Sequence, residues 1–367
     1  MKSGWVTKKL GEVCELINGK NQSAVANPNG KYPIYGSGGV MGRATDFRCP
    51  AGCTIIGRKG SINNPLFVNE KFWNVDTAYA LSPRDVEAKW LYYFCRSFDF
   101  AQLDCGTTIP SLTSTLVKGI DIPIPPLSEQ KRIVKKIDAA FEKIDALKAN
   151  AEKNLANAKE LFQSALDEAM RPKKGWVEKR LGEVCSIVSP MVDPTLPKFI
   201  KHLHVGGANI VSETGEFVNL QTAKEEGLKS GKYTFDNTVV LYNKIRPYLK
   251  KIARPDFAGL CSADMYPLLP NSSIDRDFLY YLLLTNSFTA YAIGESERAG
   301  MPKLNREELF SYKANLPMKL SVQREIVNRL DFLSEKVKLL GHNYTQQIAD
   351  CAEMRQAILR EAFEGRL

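Results

Sequence analysis

The chain writes one opening twice. Gly4 to Cys14 reads GWVTKKLGEVC and Gly175 to Cys185 reads GWVEKRLGEVC, identical at nine of eleven positions and offset by 171. Further on, Leu127-Ser-Glu-Gln-Lys-Arg-Ile-Val134 aligns with Leu320-Ser-Val-Gln-Arg-Glu-Ile-Val327, and Leu161 to Ala169 with Met354 to Ala362, both at an offset of 193. Between these borders the two interiors barely match. A chain of this kind must fold as one unit built twice, each copy a variable domain followed by a constant helix. Its 367 residues give each copy enough length to bury its own core. The expected bounds are 1–126 and 171–319 for the variable domains, and 127–170 and 320–367 for the helices.

Both constant segments carry apolar residues at steps of three and four. The first runs through Ile133, Val134, Ile137, Phe141, Ile144, Leu147, Leu155 and Leu161, the second through Ile326, Val327, Leu330, Leu333, Val337, Leu340, Ile348, Cys351 and Ile358. Each predicts a long amphipathic helix whose stripe buries most simply against the other copy. A helix over 128–170 would run about 65 Å, a spacer on the scale of a DNA footprint. Proline before Ser128, and before Ser321 in the second copy, suits a helix entry capped by the serine hydroxyl. Arg171-Pro-Lys-Lys then stops the first helix and restarts the repeat. Since the chain ends on the same kind of helix, Leu367 is expected near Met1, closing a pseudo-twofold ring.

The variable domains read differently. Tyr32 to Gly42, Thr54 to Gly57, Asp76 to Leu81, Thr238 to Tyr242 and Ala263 to Leu269 are short β-branched or aromatic runs broken by turn residues, the signal of strands. Helices are predicted over Ala88–Ser97 and Asp277–Tyr291. Each domain is therefore expected to be mixed α/β, of the α+β kind.

Little in the sequence supports catalysis. No G-x-x-x-x-G-K-[ST] loop is present, so ATP hydrolysis by that route is not expected. Gly36-Ser-Gly-Gly-Val-Met-Gly42 misplaces its last glycine for a dinucleotide loop and reads as a tight turn. Asn64-Pro-Leu-Phe67 lacks the second proline of a base-holding methyltransferase segment, and Glu87-Ala-Lys89 reads as a helix entry rather than a nuclease triplet. Cys49, Cys53, Cys95 and Cys105 fit no compact zinc spacing and are expected to be reduced packing residues, like Cys14 and Cys185. His202 and His204 alternate as one face of a strand would, without an evident acidic or thiol partner, and read as a polar contact surface. Neither a metal nor a cofactor is expected in this chain. No apolar run reaches the length of a membrane span and the first residues lack a signal-peptide core, so the expected location is cytoplasmic.

Binding remains. A formal charge of +9 favours an anionic partner, with nucleic acid foremost. Gly57-Arg-Lys-Gly-Ser-Ile62 follows a strand and sets Arg58, Lys59 and Ser61 on a glycine-bounded loop, where backbone can approach phosphate while a side chain reaches a base edge. Tyr242-Asn-Lys-Ile-Arg-Pro-Tyr-Leu-Lys-Lys251 follows a strand of the second domain. It offers Asn243 for adenine, Lys244 and Arg246 for guanine or phosphate, Tyr242 and Tyr248 for apolar contact, and Lys250 and Lys251 as further cations. Gly106-Thr-Thr-Ile-Pro-Ser-Leu112 and Gly300-Met-Pro-Lys-Leu304 align at 192 and add Thr107, Thr108, Ser111 and Lys303. Ser37, Arg43 and His202 complete the candidate DNA-contacting set.

Taken in order, the Trp-x-x-x-x-Leu-Gly-Glu openings, the Thr-Ile-Ile-Gly-Arg-Lys-Gly-Ser-Ile loop, the Gly-x-x-Ile/Met-Pro-x-Leu segments and Ile-Pro-Pro-Leu-Ser-Glu-Gln-Lys-Arg-Ile-Val resemble the specificity subunit of type I restriction-modification systems. The resemblance implies two target recognition domains, each reading one half of a split double-stranded DNA sequence. It also implies two antiparallel helices that form a coiled-coil spacer and dock two methyltransferase subunits, with restriction subunits as further partners. S-adenosylmethionine, ATP and Mg would then sit on those partners, and this chain would direct their chemistry without catalysing it. A stand-alone DNA-modifying enzyme and a protein-binding scaffold are the alternatives.

Overall fold

The computed structural model describes residues 4–187, 190–296 and 302–367. Met1, and Gly300 and Met301 of the second Gly-x-x-Met-Pro segment, lie outside the described residues. The chain divides into two compact units, one of Met1–Lys153 with Tyr344–Leu367 and the other of Asn154–Asn343.

The repeated opening has the same structural job in each unit. Its strand, Val6–Lys9 or Trp176–Arg180, pairs antiparallel with the proline-rich strand that precedes a long helix, Asp121–Ile124 or Lys313–Pro317. A single helical turn follows, Leu10–Val13 or Leu181–Val184, burying its leucine and valine. A Cβ on Gly11 would stand 2.9 Å from Lys118 Cβ, and one on Gly182 3.1 Å from Phe310 Cβ, so a larger residue at either place would push on the short helix that crosses it. Glu12 and Glu183 accept from the amides of Lys9 and Arg180, and the buried thiols of Cys14 and Cys185 donate to Leu10 O and Leu181 O. Trp5 meets Trp90 edge to face at 5.7 Å, and Trp176 meets Phe278 at 6.2 Å. The tryptophans are packing anchors.

Although the interiors differ in sequence, both build one antiparallel four-stranded sheet of the same order. In the first domain Cys14–Asn18, Ala78–Pro83, Cys53–Gly57 and Leu66–Val68 lie side by side; in the second, Cys185–Ile187, Met265–Pro270, Val240–Asn243 and Ile252–Ala253. The remaining strands diverge, forming a three-stranded sheet around Tyr32–Gly36 in one domain and a four-stranded sheet around Leu203–Val205 and Gly259–Cys261 in the other. Ala88–Ser97 is helical as expected. The single helix expected over Asp277–Tyr291 is instead two, Arg276–Leu284 and Asn286–Ser296, because Thr285 is extended and its hydroxyl accepts from Phe288 N.

The long helices span Leu127–Ala169 and Leu320–Phe363. They start two residues earlier than a serine cap predicts, and Pro126 O and Lys319 O accept the first amide bonds. The motif's glutamine matters more than its serine. Gln130 is buried, donating to Pro125 O and accepting from Glu87 N, both at 2.8 Å; Gln323 repeats this with Pro317 O and Asp275 N at 2.8 Å and adds Ser273 O at 3.1 Å. A second duplicated tie joins Tyr93 to Asp138 and Tyr281 to Asp331, the latter at 2.6 Å.

In the first unit, Ile133, Ile137, Phe141 and Ile144 share a core with Cys351, Leu359 and Ala362; in the second, Leu166 and Met170 share one with Val327 and Leu330. The start of one helix therefore packs on the end of the other, antiparallel in each unit. Three residues of the predicted stripe fall outside the seam. Leu147, Leu161 and Leu340 are exposed, and with Met354 they form two equivalent pairs at the offset of 193.

Candidate nucleic-acid interface

In the first domain the buried strand Cys53–Gly57 delivers the loop. A Cβ on Gly57 would lie 2.3 Å from Ser61 O, so only glycine lets the chain fold back here, and Gly60 takes a left-handed φ of +81°. The loop backbone is tied at several points: Arg58 N and Lys59 N donate to Thr77 O, Gly60 N to Pro110 O, and Arg58 O accepts from Leu112 N. These bonds lay the Gly106–Leu112 segment alongside, bridging Lys59 to Ser111. Arg58 sits 5.9 Å over the ring of Tyr79, whose hydroxyl donates to Leu112 O.

Several side chains face outward from this frame. Lys59 and Ser61 are exposed, and among the described residues the Lys59 ammonium has no partner. Thr107 and Thr108 are exposed on a turn held by Asp104, whose carboxylate accepts from Ser111 N and Gly106 N. Those two bonds hold the Asp104 carboxyl below its ordinary range. Ser37, on the turn between Tyr32–Gly36 and Gly39–Ala44, reaches the same place, its hydroxyl 3.7 Å from where a Cβ on Gly60 would stand. Arg43 is exposed but tied to its own domain. Its guanidinium donates to Gly30 O and Lys31 O, both at 2.6 Å, and staples a loop.

The second domain repeats three of these backbone bonds and the bridge, while Ile245 N, the counterpart of Lys59 N, donates to Asn243 Oδ1 instead. Lys244 N donates to Asp264 O, Arg246 N to Pro302 O, Leu304 N to Lys244 O, and Ile245 bridges to Lys303. Lys244 sits 5.3 Å over Tyr266, whose hydroxyl donates to Leu304 O. Arg58 thus corresponds to Lys244, Lys59 to Ile245, Gly60 to Arg246 and Ser111 to Lys303. The offset of 192 already pairs Ser111 with Lys303, whereas the pairing of Arg58 to Gly60 with Lys244 to Arg246, at an offset of 186, comes from the backbone bonds.

The same geometry removes five candidates from the second surface. Tyr242 is buried edge to face against Phe288, and burial pushes its hydroxyl pKa up. Asn243 turns back on its own loop, donating to Ile245 O and accepting from Ile245 N. Lys244 is spent on Ala263 O at 2.6 Å and Asp264 at 3.6 Å. Lys250 points inward, its ammonium on Gln163 Oε1 and Asn286 Oδ1 at 2.8 Å, and burial lowers its pKa. Lys251 donates to Gly207 O. Arg246, Tyr248 and Lys303 remain exposed.

The histidine pair is also revised. His202 is half-buried against Phe199, whereas His204 is buried and its Nδ1 lies 2.9 Å from Glu226 Oε2, an acidic partner 22 residues away. Burial lowers the His204 pKa, opposed by Glu226 and assisted by Lys232. Cys49 and Cys53 belong to one buried cluster, Cys95 to another, and Cys105 is exposed, so the four thiols do not converge. Among the described residues no helix is long and apolar enough to cross a membrane.

Residues 2–157 and 173–349 match the family model of the type I restriction modification DNA specificity domain. The type I restriction enzyme EcoDI specificity subunit of Escherichia coli is 27% identical over 399 residues, covering 99% of this chain and 88% of that protein. The StySPI specificity subunit of Salmonella potsdam is 23% identical, covering 90% of this chain and 73% of that protein. Among solved structures, a chain from work on complex assembly and conformational transition of the type I R-M system matches with TM-score 0.79 at 22% identity, covering 100% of this chain and 99% of that one. The HsdS subunit of Thermoanaerobacter tengcongensis matches with TM-score 0.55 at 21% identity, covering 100% and 98%. Both structural likenesses are likenesses of fold.

Proposed function

The chain belongs to the type I restriction modification DNA specificity family, and on that premise we propose that each of its two domains reads one half of a bipartite duplex DNA target. The observation that carries this reading is the loop pair built twice: three equivalent backbone bonds and a bridge in each domain, with two different sets of outward side chains. The three shared backbone bonds give the two loops a common frame, while Lys59, Ser61, Ser111, Thr107, Thr108 and Ser37 in one domain, and Arg246, Tyr248 and Lys303 in the other, give unlike half-sites. Arg58 and Lys244, held over their tyrosines, position the loops from behind.

The long helices set the distance between half-sites, with centres about one duplex turn, roughly 34 Å, apart. Their exposed pairs Leu147 with Leu340 and Leu161 with Met354 present equivalent apolar spots, which suits two identical methyltransferase subunits; restriction subunits join the same assembly. The chain itself is non-catalytic in this reading. S-adenosylmethionine, ATP and Mg belong to the partners, which act in the cytoplasm on a base flipped from the duplex this subunit has selected.

Lys59→Ala in the assembled modification complex tests the first domain. The expected result is weaker binding across sequences, with the slope of log affinity against log salt reduced by about one. An unchanged slope and affinity would remove the Gly57–Ile62 loop from the interface.

A further inference from the structure

Arg246 occupies a conformation that a glycine would hold more easily, and its own repeat shows as much. The equivalent residue of the first domain is Gly60, at φ +81°, making the same backbone bond to the equivalent proline carbonyl. Arg246 stands there at φ +52°. Among the described residues four other non-glycine residues are left-handed: Asp85, Glu213, Asn219 and Lys250. Asp and Asn tolerate that region, and the Lys250 ammonium makes two part-buried hydrogen bonds. Glu213 sits in the tight turn before Gly215, where its amide donates to Lys250 O. Arg246 gains nothing comparable. Its guanidinium is exposed with no partner among the described residues, and the bonds made by its backbone are ones a glycine would make equally well. A strained side chain with no internal return points to a ligand outside the chain.

We propose that Arg246 is the base-reading residue of the second domain, directed at the major-groove edge of a guanine in its half-site. This rests on the bipartite DNA reading above. The planar fork of arginine matches guanine O6 and N7 bidentately, a contact that lysine cannot reproduce. Around it, Lys303 and the half-exposed Tyr248 lie on the two segments that the shared bonds hold together, and supply phosphate and sugar contacts. The first domain, with Gly60 at this position, reads its half-site without an arginine here, so the two half-sites differ in this base.

Arg246→Gly separates fold from recognition, because glycine is the residue the repeat itself uses at this position. The variant, in the full chain assembled with its modification subunits, is expected to unfold at the same urea concentration as the parent or higher. Its affinity for the cognate duplex should fall at least about tenfold, and the methylated motif should relax from guanine at one position of one half-site. Arg246→Lys should relax the same position while keeping the charge. An unchanged motif overturns the assignment. So does an equal loss on cognate and mismatched duplexes with rescue by Arg246→Lys, which marks a phosphate contact. If no bipartite motif depends on the parent chain, the underlying reading fails as well.

Discussion

Gln323→Leu measures how much the duplicated glutamine contributes to the seam between helix and domain. Leucine fills nearly the same volume, so the change removes hydrogen bonds rather than packing. Three are lost: the acceptor for Asp275 N at 2.8 Å and the donors to Pro317 O at 2.8 Å and Ser273 O at 3.1 Å, from a fully buried side chain. Each bond contributes about 1 kcal/mol net, and a buried group left without a partner costs about 1–3 kcal/mol. Together these give a loss of about 3–5 kcal/mol. The damage should spread, because the Asp275 carboxylate caps Arg276–Leu284, a helix buried from Phe278 onward. Gln130→Leu removes only two bonds and should cost about 1 kcal/mol less. Gln346→Leu, on an exposed helix face, should change stability by less than about 0.5 kcal/mol. Urea unfolding reads all three through the midpoint at constant slope, and amide exchange at Phe278 and Leu279 locates the opening. A Gln323→Leu loss under about 1 kcal/mol would refute the reasoning.

Gly57→Ala must displace the Ser61 carbonyl, so it should weaken DNA binding more than it lowers the unfolding midpoint, as seen by comparing titrations with urea curves. Tyr281→Phe strips Asp331 of one donor but leaves Arg254 at 2.7 Å, and should cost about 1–2 kcal/mol in the same urea assay. The His204 pKa is lowered by folding, so the unfolded chain takes up its proton first as pH falls through about 6.5. Stability should therefore drop on acidification below that point, and His204→Gln should flatten the drop in midpoints measured between pH 7 and 5.

The repeat, its borders and the two long helices were legible because they are written as text and period. Leu-Gly-Glu-Val-Cys recurs because each letter has a fixed neighbour, and helices of 43 and 44 residues repeat their apolar period over many turns. The recognition surface was half legible. In the first domain Gly57 and Gly60 announce a loop whose next residues face solvent. In the second, Val240–Asn243 is buried on both faces, so alternation could not show that Tyr242 and Asn243 turn inward. The amides that draw Lys250 inward lie 87 and 36 residues away, and Glu226 lies 22 from His204, beyond any local pattern. The equivalence of Gly60 and Arg246 lives in backbone bonds that leave no trace in side-chain identity. Burying Gln130 and Gln323 was likewise invisible, although their shared place in the Leu-Ser-x-Gln motif was the one available signal.

Genome-wide methylation mapping in cells that carry the modification subunits, with and without this chain, tests the central claim most directly. The account expects one bipartite methylated motif, with unlike halves about one duplex turn apart, to vanish with the chain and return when it is restored. An identical methylome in both, with the partner subunits active, would contradict it.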